Sequence, residues 1–364
     1  MNAAPTTESA GSGTLMLHLL GKCNLTCAHC YMEGAPQRRE RLPLTNVLRA
    51  VEDCAELGVG QLYLTGGEPL MYPGLPGVLE AAASVPGLKT TLSTNATLLT
   101  ARHVDKIAAL GIALNVSIDG LPEYHDAFRR HGGAFLKSER GIELGLEAGV
   151  DVTVVMTVCR DNLASIAAVA DWAVDKGVGT LRFQPLLKLG RGAAMADQRL
   201  ERAEVDELVL KASDLANRYR GRLHCAIVGQ SRRFMLAHPC SAYVCNGQGC
   251  HRRIAREIKK IVVREDGTVL PEATNLDPRF KIGRLGEGRL VDLVTRFLDE
   301  DYGRFDALCR RTYADVLPTW EAPVVPWDQI LAEASCDWDE AALPLEAAEG
   351  GCGTCRAPAQ AAMQ

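Results

Sequence analysis

Six apolar, strand-like runs alternate with amphipathic helical runs over the first half of this 364-residue chain. The predicted strands are 14–20, 61–65, 89–93, 113–118, 152–158 and 180–185. Between them, apolar residues recur at helical spacing, and Gly58, Gly111, Gly149 and Gly177 stand where such helices end. Repeated strand–helix units favour a parallel sheet that curls like a barrel. Six units are fewer than the eight of a closed barrel, so the sequence predicts an open, α/β, partial (β/α)6 TIM-like barrel.

The pattern changes after residue 192, where a cysteine-rich stretch and scattered helices replace the regular alternation. We therefore predict four segments: a disordered tail at 1–13, the barrel at 14–192, a small cysteine-rich α+β extension at 193–340, and a flexible tail at 341–364. The extension is expected to contain a short hairpin at 260–263 and 268–270.

The composition excludes several classes of partner. The net charge is −5, from 40 basic and 45 acidic residues, and no basic stripe indicates nucleic-acid binding. Apolar runs are too short to span a membrane, and the N-terminus lacks the basic and apolar regions of a signal peptide. These features predict a cytoplasmic protein. The thirteen cysteines are then expected to be reduced thiols or metal ligands and not a disulfide framework.

Three cysteines, Cys23, Cys27 and Cys30, follow the first predicted strand with C-x3-C-x2-C spacing, and the ring of His29 precedes the third. Chemistry in folds of this kind collects at the C-terminal ends of the strands. Three thiolates can hold three irons of a four-iron cluster and leave the fourth iron open, as at a catalytic site. The alternatives are chance and a structural zinc site, which needs a fourth ligand that His29 is too close to supply.

Polar motifs end the following strands as well. Thr65-Gly66-Gly67-Glu68-Pro69 ends the second, and its glycines allow a ligand close to the backbone. Ser93-Thr94-Asn95 ends the third strand, Ser117-Ile118-Asp119-Gly120 ends the fourth, and His125-Asp126-Ala127-Phe128-Arg129 comes shortly after. Thr157 and Phe183 lie at the ends of strands five and six.

Taken in order, these motifs resemble the radical S-adenosylmethionine (radical SAM) enzymes over residues 14–192. The resemblance implies a 4Fe-4S cluster held by Cys23, Cys27 and Cys30. It implies that the following residues bind the cofactor: His29, Tyr31, Gly66, Gly67, Glu68, Pro69, Ser93, Asn95, Ser117, Asp119, Arg129, Thr157 and Phe183.

Some of these expected contacts are specific. Glu68 is expected at the amino group of SAM, and Arg129 at its carboxylate through a charge-assisted fork. Thr157 is expected at the sugar and Phe183 at the adenine. Read from the residues alone, Arg129 is equally a surface residue, Asp119 a turn residue, and Thr157 and Phe183 core residues.

The resemblance also implies a mechanism and a reductant. An electron enters the sulfonium of SAM, which breaks into methionine and a 5′-deoxyadenosyl radical, and that radical abstracts hydrogen from the substrate. A flavodoxin or ferredoxin is the usual electron donor.

A second cysteine set, Cys240, Cys245 and Cys250, follows the barrel at x4 spacing. With the later segments 266–272 and 282–285, it resembles the SPASM/Twitch extension, which carries auxiliary iron–sulfur clusters. Glu272 stands where that family has a cysteine. The sequence predicts one auxiliary Fe-S cluster held by the three cysteines, with the fourth ligand open; a zinc site or an empty site are the alternatives. The candidates for the fourth ligand are Glu272, Cys225, Cys309, Cys352 and Cys355.

Enzymes with such an extension most often modify peptides. The first hypothesis is therefore peptide maturation by crosslinking, epimerisation or oxidation, and the second is biosynthesis of a small-molecule cofactor or tetrapyrrole. A non-catalytic metal scaffold is disfavoured, because a scaffold needs no SAM site. Since no peptide-binding domain precedes residue 14, a leader peptide is expected to bind a separate protein or this chain directly.

Overall fold

The six predicted strands are neighbouring parallel strands in a computed structural model, which describes residues 13–243 and 258–339. They are β1 (Gly13–His18), β2 (Val59–Thr65), β3 (Lys89–Thr94), β4 (Ala113–Ser117), β5 (Val152–Val158) and β6 (Thr180–Pro185). Each strand pairs in parallel with the next along the chain. The α/β partial barrel is thereby confirmed.

Helices occupy the crossovers and much of the C-terminal part. They are α1 (Leu44–Glu52), α2 (Cys54–Leu57), α3 (Leu75–Ser84), α4 (Ala101–Ala109), α5 (Pro122–Arg129), α6 (Ala134–Glu147), α7 (Ile166–Asp175), α8 (Arg202–Arg218), α9 (Arg232–Ala237), α10 (Leu290–Glu300), α11 (Tyr302–Val316) and α12 (Trp327–Cys336). The helices end near the glycines that the sequence predicted as caps. Gly58, for example, caps α2 in the left-handed conformation with φ 69°. Glycine adopts this conformation without steric cost because it has no Cβ.

The sheet continues beyond the six strands that the sequence predicted. The additional strands are β7 (His224–Ile227), β8 (Gln230–Ser231), β9 (Lys260–Val263), β10 (Thr268–Pro271), β11 (Gly283–Arg284) and β12 (Val324–Val325). β7 pairs in parallel with β6, and β9 pairs in parallel with the free edge of β1. β10 and β11 then add antiparallel strands, which gives a ten-stranded sheet, while β8 and β12 pair separately. The predicted hairpin therefore exists, but it is part of the barrel's own sheet.

Ion pairs also attach the C-terminal part to the barrel. Arg289, at the start of α10, donates two hydrogen bonds of 3.0 and 2.6 Å to the buried carboxylate of Asp53. Arg38 donates to Glu265, in the β9–β10 turn, at 2.8 Å. The segment boundaries at 13, 192 and 340 stay predictions, and residues 341–364 lie outside the described ranges.

The barrel strands have two different faces because side chains alternate along a strand. On β5, the side chains of Val152, Val154, Met156 and Val158 are buried under the helices, whereas the intervening side chains are half-buried. The second set points into the barrel, where several of its members line a cavity. Within residues 13–243 and 258–339, none of the helices has both the length and the apolar character of a membrane span.

Candidate active site

The three cysteines lie on one loop that leaves the C-terminal end of β1. Cys23 and Cys27 are buried and Cys30 is half-buried. Backbone amides hold two of the sulfurs in place, since Leu25 N–H donates to Cys23 Sγ at 3.4 Å and Gly34 N–H donates to Cys30 Sγ at 3.3 Å. The loop therefore presents three thiols in a fixed arrangement at the edge where the predicted site lies.

Burial sets the protonation of these thiols. It raises the pKa of Cys23 to about 12 and also raises the pKa of Cys27. Both thiols are therefore neutral near pH 7 unless a cation stabilises the thiolate, and metal coordination deprotonates thiols outright. No three His, Cys, Asp or Glu side chains of the described ranges converge on one point as ligands of a single ion.

The Gly66–Gly67 turn at the end of β2 packs against the cysteine loop. Gly67 N–H donates to Leu20 O at 2.7 Å, and Glu68 N–H donates to Lys22 O at 2.9 Å. A Cβ on Gly67 would lie 2.1 Å from Lys22 O, and one on Gly66, where φ is 137°, would lie 2.6 Å from Leu20 O. The two glycines are thus needed to seat the cysteine loop against β2, and both also line the cavity.

Gly67→Ala should displace the cysteine loop, because the added methyl group meets a backbone carbonyl that cannot rotate away. We expect a loss of about 1–3 kcal/mol in the free energy of unfolding, the usual cost of overpacking. We also expect less iron bound after anaerobic reconstitution. Chemical denaturation and iron analysis measure the two effects.

The matched control is Gly77→Ala in α3, where nothing lies within 4 Å of the added Cβ. This change should be neutral or stabilise by up to about 1 kcal/mol, since alanine is the better helix former. Equal stability and equal iron content in the two variants would contradict the role given to Gly67.

The Glu68 carboxylate joins the ends of two strands. Its side chain is fully buried and accepts hydrogen bonds from Thr94 Oγ1 at 2.6 Å, Asn95 N at 2.9 Å and Leu70 N at 3.1 Å. Neither Glu68 nor Pro69 is among the residues that line the cavity. The Glu68 carboxylate thus holds the end of β3 in place, and its expected contact with the SAM amino group stays a prediction.

A buried ion pair follows β4. Arg129 Nε donates to Asp119 Oδ2 at 2.6 Å, and Thr157 N–H donates to Asp119 Oδ1 at 3.0 Å. Burial alone would raise the pKa of Asp119, but the Arg129 guanidinium holds that pKa well below its usual value. Arg129 Nη1 also lies 3.8 Å from Cys27 Sγ. Asp119 itself does not line the cavity, so it orients the Arg129 guanidinium from the side that faces away from the cavity.

Two histidines complete this cluster in their neutral form. The amide of Asp119 donates to Nδ1 of His125 at 3.1 Å. Burial lowers the pKa of His125 and of His29 to about 4 in each case. The ring of His29 stacks on Phe128 with centroids 4.3 Å apart, and its Nε2 lies 3.9 Å from Asp119 Oδ2.

The cysteine loop and the strand ends enclose a cavity of about 380 Å³. Twelve of the predicted site residues line it: Cys23, Cys27, His29, Cys30, Tyr31, Gly66, Gly67, Ser93, Asn95, Ser117, Arg129 and Thr157. The structure thus brings together residues from one loop, four strand ends and the last turn of α5. Their roles in SAM binding stay predictions.

Phe183 lies apart from the cavity. Its side chain is fully buried in the core and does not line the cavity, whereas its neighbours Arg182 and Gln184 do. The physical reason is the alternation along β6, which directs Phe183 to the helix side of the sheet. Phe183 therefore packs in the core, as the alternative interpretation expected, and its contact with adenine stays a prediction.

Sequence reasoning missed several residues of the cavity wall. From the strands these are Met16, Tyr63, Thr65, Thr94, Asn115, Val155, Arg182, Gln184 and Pro185. Some of them lie two residues before a predicted site residue, as Asn115 lies before Ser117. Residues two apart on a strand share one face of the sheet, so this spacing could have identified them.

Arg191 is a further missed residue, and it closes the cavity from the far edge of the barrel. Its Nε donates to Cys27 O at 2.7 Å and its Nη2 donates to Gly34 O at 3.0 Å. Its backbone amide donates to Cys30 O at 3.0 Å. The segment after β6 is thereby tied to the cysteine loop that follows β1. No local signal identifies this contact, which joins residues 164 positions apart.

The second cysteine set is described only in part. Cys240 is half-buried, and Cys245, Cys250, Cys352 and Cys355 lie outside the described residues. Glu272 Oε1 accepts the backbone amides of Lys259 at 2.6 Å and Lys260 at 3.2 Å. Cys309 is buried, and its pKa is raised well above the usual value by burial and by the nearby Glu272 carboxylate. Glu272 and Cys309 therefore lie near each other, whereas Cys225 lies on β7 in the main sheet.

A family model described as Radical SAM superfamily matches residues 18–173, the stretch that contains the cysteine loop, the Gly66–Gly67 turn and the Asp119–Arg129 pair. Residues 18–173 of this chain are therefore similar to the radical SAM superfamily. Enzymes of this superfamily perform radical reactions with a 4Fe-4S cluster and SAM as cofactors.

Two relatives and one solved structure illustrate the range of similarity. Fe-coproporphyrin III synthase of Methanosarcina barkeri is 32% identical over 190 residues, which are 52% of this chain and 47% of that protein. The subtilosin biosynthesis protein AlbA of Bacillus subtilis is 28% identical over 194 residues, 51% of this chain and 43% of that protein. The chain thus spans about half the length of the relatives it matches.

Streptococcus suis SuiB, solved with its precursor peptide SuiA, superposes with a TM-score of 0.65 at 18% identity. That superposition covers 82% of this chain and 67% of SuiB, so the shared fold runs past the radical SAM domain into the C-terminal part.

The residues of the radical SAM domain fit both cofactors. Three thiols on one loop, two of them buried and one half-buried, match a cluster with one iron left open, since each thiolate takes its own iron. His29 lines the cavity, and its buried Nδ1 has no hydrogen-bond partner among residues 13–243 and 258–339. Arg129 adds a guanidinium beside Cys27, suited to an anionic group.

Proposed function

We propose that this radical SAM enzyme modifies a peptide substrate, with Cys23, Cys27 and Cys30 as the cluster ligands. The observation that carries the SAM chemistry is the convergence of the three thiols, the Gly66–Gly67 turn and Arg129 on one cavity. When bound, the cluster and SAM supply an electron transfer that cleaves the sulfonium and yields a 5′-deoxyadenosyl radical able to abstract hydrogen.

The protein's own part is to bind, orient and shield. Asp119 fixes the Nε side of the Arg129 guanidinium, which leaves its other edge for the carboxylate of SAM. Asn95 and Ser117 project into the cavity from β3 and β4 and offer polar groups to the nucleoside. Arg191 and the segment after β6 cover the cysteine loop, which limits the access of water to it.

The peptide class is supported by two similarities. AlbA, a bacteriocin biosynthesis protein, is related in sequence across the radical SAM domain. SuiB, which binds its precursor peptide, shares the fold into the C-terminal part. The modification itself would be a crosslink, an epimerisation or an oxidation, with a flavodoxin or ferredoxin as electron donor and a separate leader-binding protein as a further partner.

A tetrapyrrole or small-molecule substrate is the second candidate. It is favoured by the higher identity to Fe-coproporphyrin III synthase, 32% against 28% for AlbA. The barrel supports both classes, because the radical chemistry depends on the cluster loop and substrate choice depends on the remaining cavity wall.

An auxiliary cluster in the C-terminal part belongs to the same proposal. Cys240, Cys245 and Cys250 would supply three of its ligands. Cys309 is the more suitable fourth ligand, since Glu272 already accepts two backbone amides through one of its oxygens.

The decisive experiment begins with anaerobically reconstituted, full-length protein. Its iron and sulfide content should be about eight per chain, four for each of two clusters. With dithionite it should convert SAM to 5′-deoxyadenosine. The reduced enzyme is then incubated separately with the peptides encoded beside its gene and with Fe-coproporphyrin III, and mass spectrometry identifies which is changed. Zinc without iron after reconstitution would overturn the proposal, and a changed porphyrin would replace the peptide class by the second candidate.

A further inference from the structure

The cavity wall carries three arginines and, among the described residues, no carboxylate. Arg129, Arg182 and Arg191 all line it, while every Asp and Glu of those residues lies elsewhere. A guanidinium keeps its charge at any physiological pH, so this wall is cationic.

Two of the three arginines have partners. Arg129 pairs with Asp119 at 2.6 Å. Arg191 donates to two backbone carbonyls, Cys27 O at 2.7 Å and Gly34 O at 3.0 Å. Each of these guanidiniums is therefore held in place by the protein and has a defined structural task.

Arg182 differs from both. It is half-buried and, within residues 13–243 and 258–339, has neither a hydrogen-bond nor an ion-pair partner. Its neighbours on the cavity wall include Val155, its register partner on β5, and Val228. A half-buried charge without a counter-charge from the protein is stabilised when an anionic group reaches it.

The position of Arg182 separates it from the SAM end of the cavity. It precedes Gln184 by two residues on β6, which places its Cα about 7 Å deeper along the strand than the Cα of Gln184. The other two arginines of the cavity lie at the cysteine loop: Arg129 Nη1 is 3.8 Å from Cys27 Sγ, and Arg191 Nε donates to Cys27 O at 2.7 Å. The deeper wall with Arg182 is therefore free for a second ligand when SAM occupies the strand ends.

We infer that Arg182 is a specificity-determining residue that pairs with a carboxylate of the substrate. The inference rests on the proposed function. The fork of an arginine suits a planar carboxylate, which it binds through two parallel hydrogen bonds. An Asp or Glu side chain of a peptide and a propionate of a tetrapyrrole offer this same group.

The test measures binding to the full-length, cluster-loaded protein in the presence of SAM, with two matched probe pairs. One pair is a set of pentapeptides with a central Glu and the same set with Gln, compared by retention on ultrafiltration and mass spectrometry. The other is coproporphyrin III and its tetramethyl ester, compared by fluorescence. Wild type should prefer the acid of one pair by about tenfold or more, as expected for a charged hydrogen bond.

Arg182→Gln should reduce that preference to about onefold, while Arg182→Lys should restore part of it through its charge. Arg160→Gln is the matched control, since Arg160 is an exposed arginine that pairs with Glu201 and Glu204 outside the cavity. Iron content and the thermal midpoint verify that each variant is folded and loaded. The probe pair that responds identifies the source of the carboxylate.

Three results would overturn the inference: no acid preference in either pair for wild type, a preference that survives in Arg182→Gln, or weaker SAM binding in Arg182→Gln with the preference intact. The last would assign Arg182 to SAM. Failure of the proposed function is distinguishable, because it appears as absent SAM cleavage by wild type, whatever the probes show.

Discussion

Replacing Cys23, Cys27 and Cys30 together by alanine should remove about four irons per chain and abolish the formation of 5′-deoxyadenosine from SAM. One loop carries the three thiols, and no other cysteine of the described residues lines this cavity. Without these thiolates the cluster has no protein ligands, so the iron that binds SAM is lost with it. Iron analysis of reconstituted protein and chromatography of the dithionite reaction measure the two losses.

The matched control is Cys336→Ala, which removes an exposed thiol at the end of α12. It should retain the iron content and SAM cleavage of wild type. If the triple variant kept its full iron content, the cluster assignment would be wrong. If wild type held only about four irons and the triple variant none, Cys240, Cys245 and Cys250 would hold no cluster.

Breaking the buried pair between Asp119 and Arg129 should destabilise the protein by about 3–5 kcal/mol, because the remaining partner is left as an uncompensated buried charge. Both side chains are buried, Asp119 at 0% and Arg129 at 7% exposure. Arg129→Met and Asp119→Asn each break the pair, and Arg129→Met should also weaken SAM binding. Urea denaturation reports the stability, and SAM titration reports the binding.

The control for burial is Arg140→Met, which breaks the exposed ion pair of Arg140 with Glu143 on α6. It should cost less than about 1 kcal/mol, as exposed pairs do. In the double variant Asp119→Asn/Arg129→Met, neither charge is left alone, so the loss should be smaller than the sum of the single losses. Strict additivity would mean that the two side chains do not depend on each other.

The same pair predicts a pH dependence with a definite sign. The folded-state pKa of Asp119 is held well below its unfolded value of about 3.9, so ionised Asp119 stabilises the fold at any pH above about 4. That contribution should be lost as the pH falls from about 4 through the lower folded-state pKa. The acid limb of the stability curve should be shallower in Asp119→Asn than in wild type.

Much of the site could be predicted because its residues follow strands directly. Cys23, Gly66, Ser93 and Ser117 come from different parts of the chain, yet each lies at or just past the end of a parallel strand. Parallel strands place their C-terminal ends at one edge of the sheet, so the order of motifs along the chain was sufficient to bring these residues together.

Other parts could not be predicted, since they depend on directions that local patterns leave open. Glu68 follows a glycine turn whose geometry directs its carboxylate to Thr94 and away from the cavity. Phe183 is apolar and lies near a strand end, but the pleat directs it to the core. Whether a strand-end side chain faces the cavity or the helices depends on the register of the strand, because a shift by one residue moves every side chain to the opposite face.

By itself, the amino-acid sequence determined the six β-α units, the cysteine loop and the polar strand ends, because hydrophobic period, glycine positions and cysteine spacing are local properties. Only the tertiary structure decided how the barrel's open edges are used. There β9 pairs with β1, and Arg191 reaches the cysteine loop from the segment after β6. These contacts join residues far apart in the chain through backbone carbonyls and amides, which every residue carries, so no residue type marks them in advance.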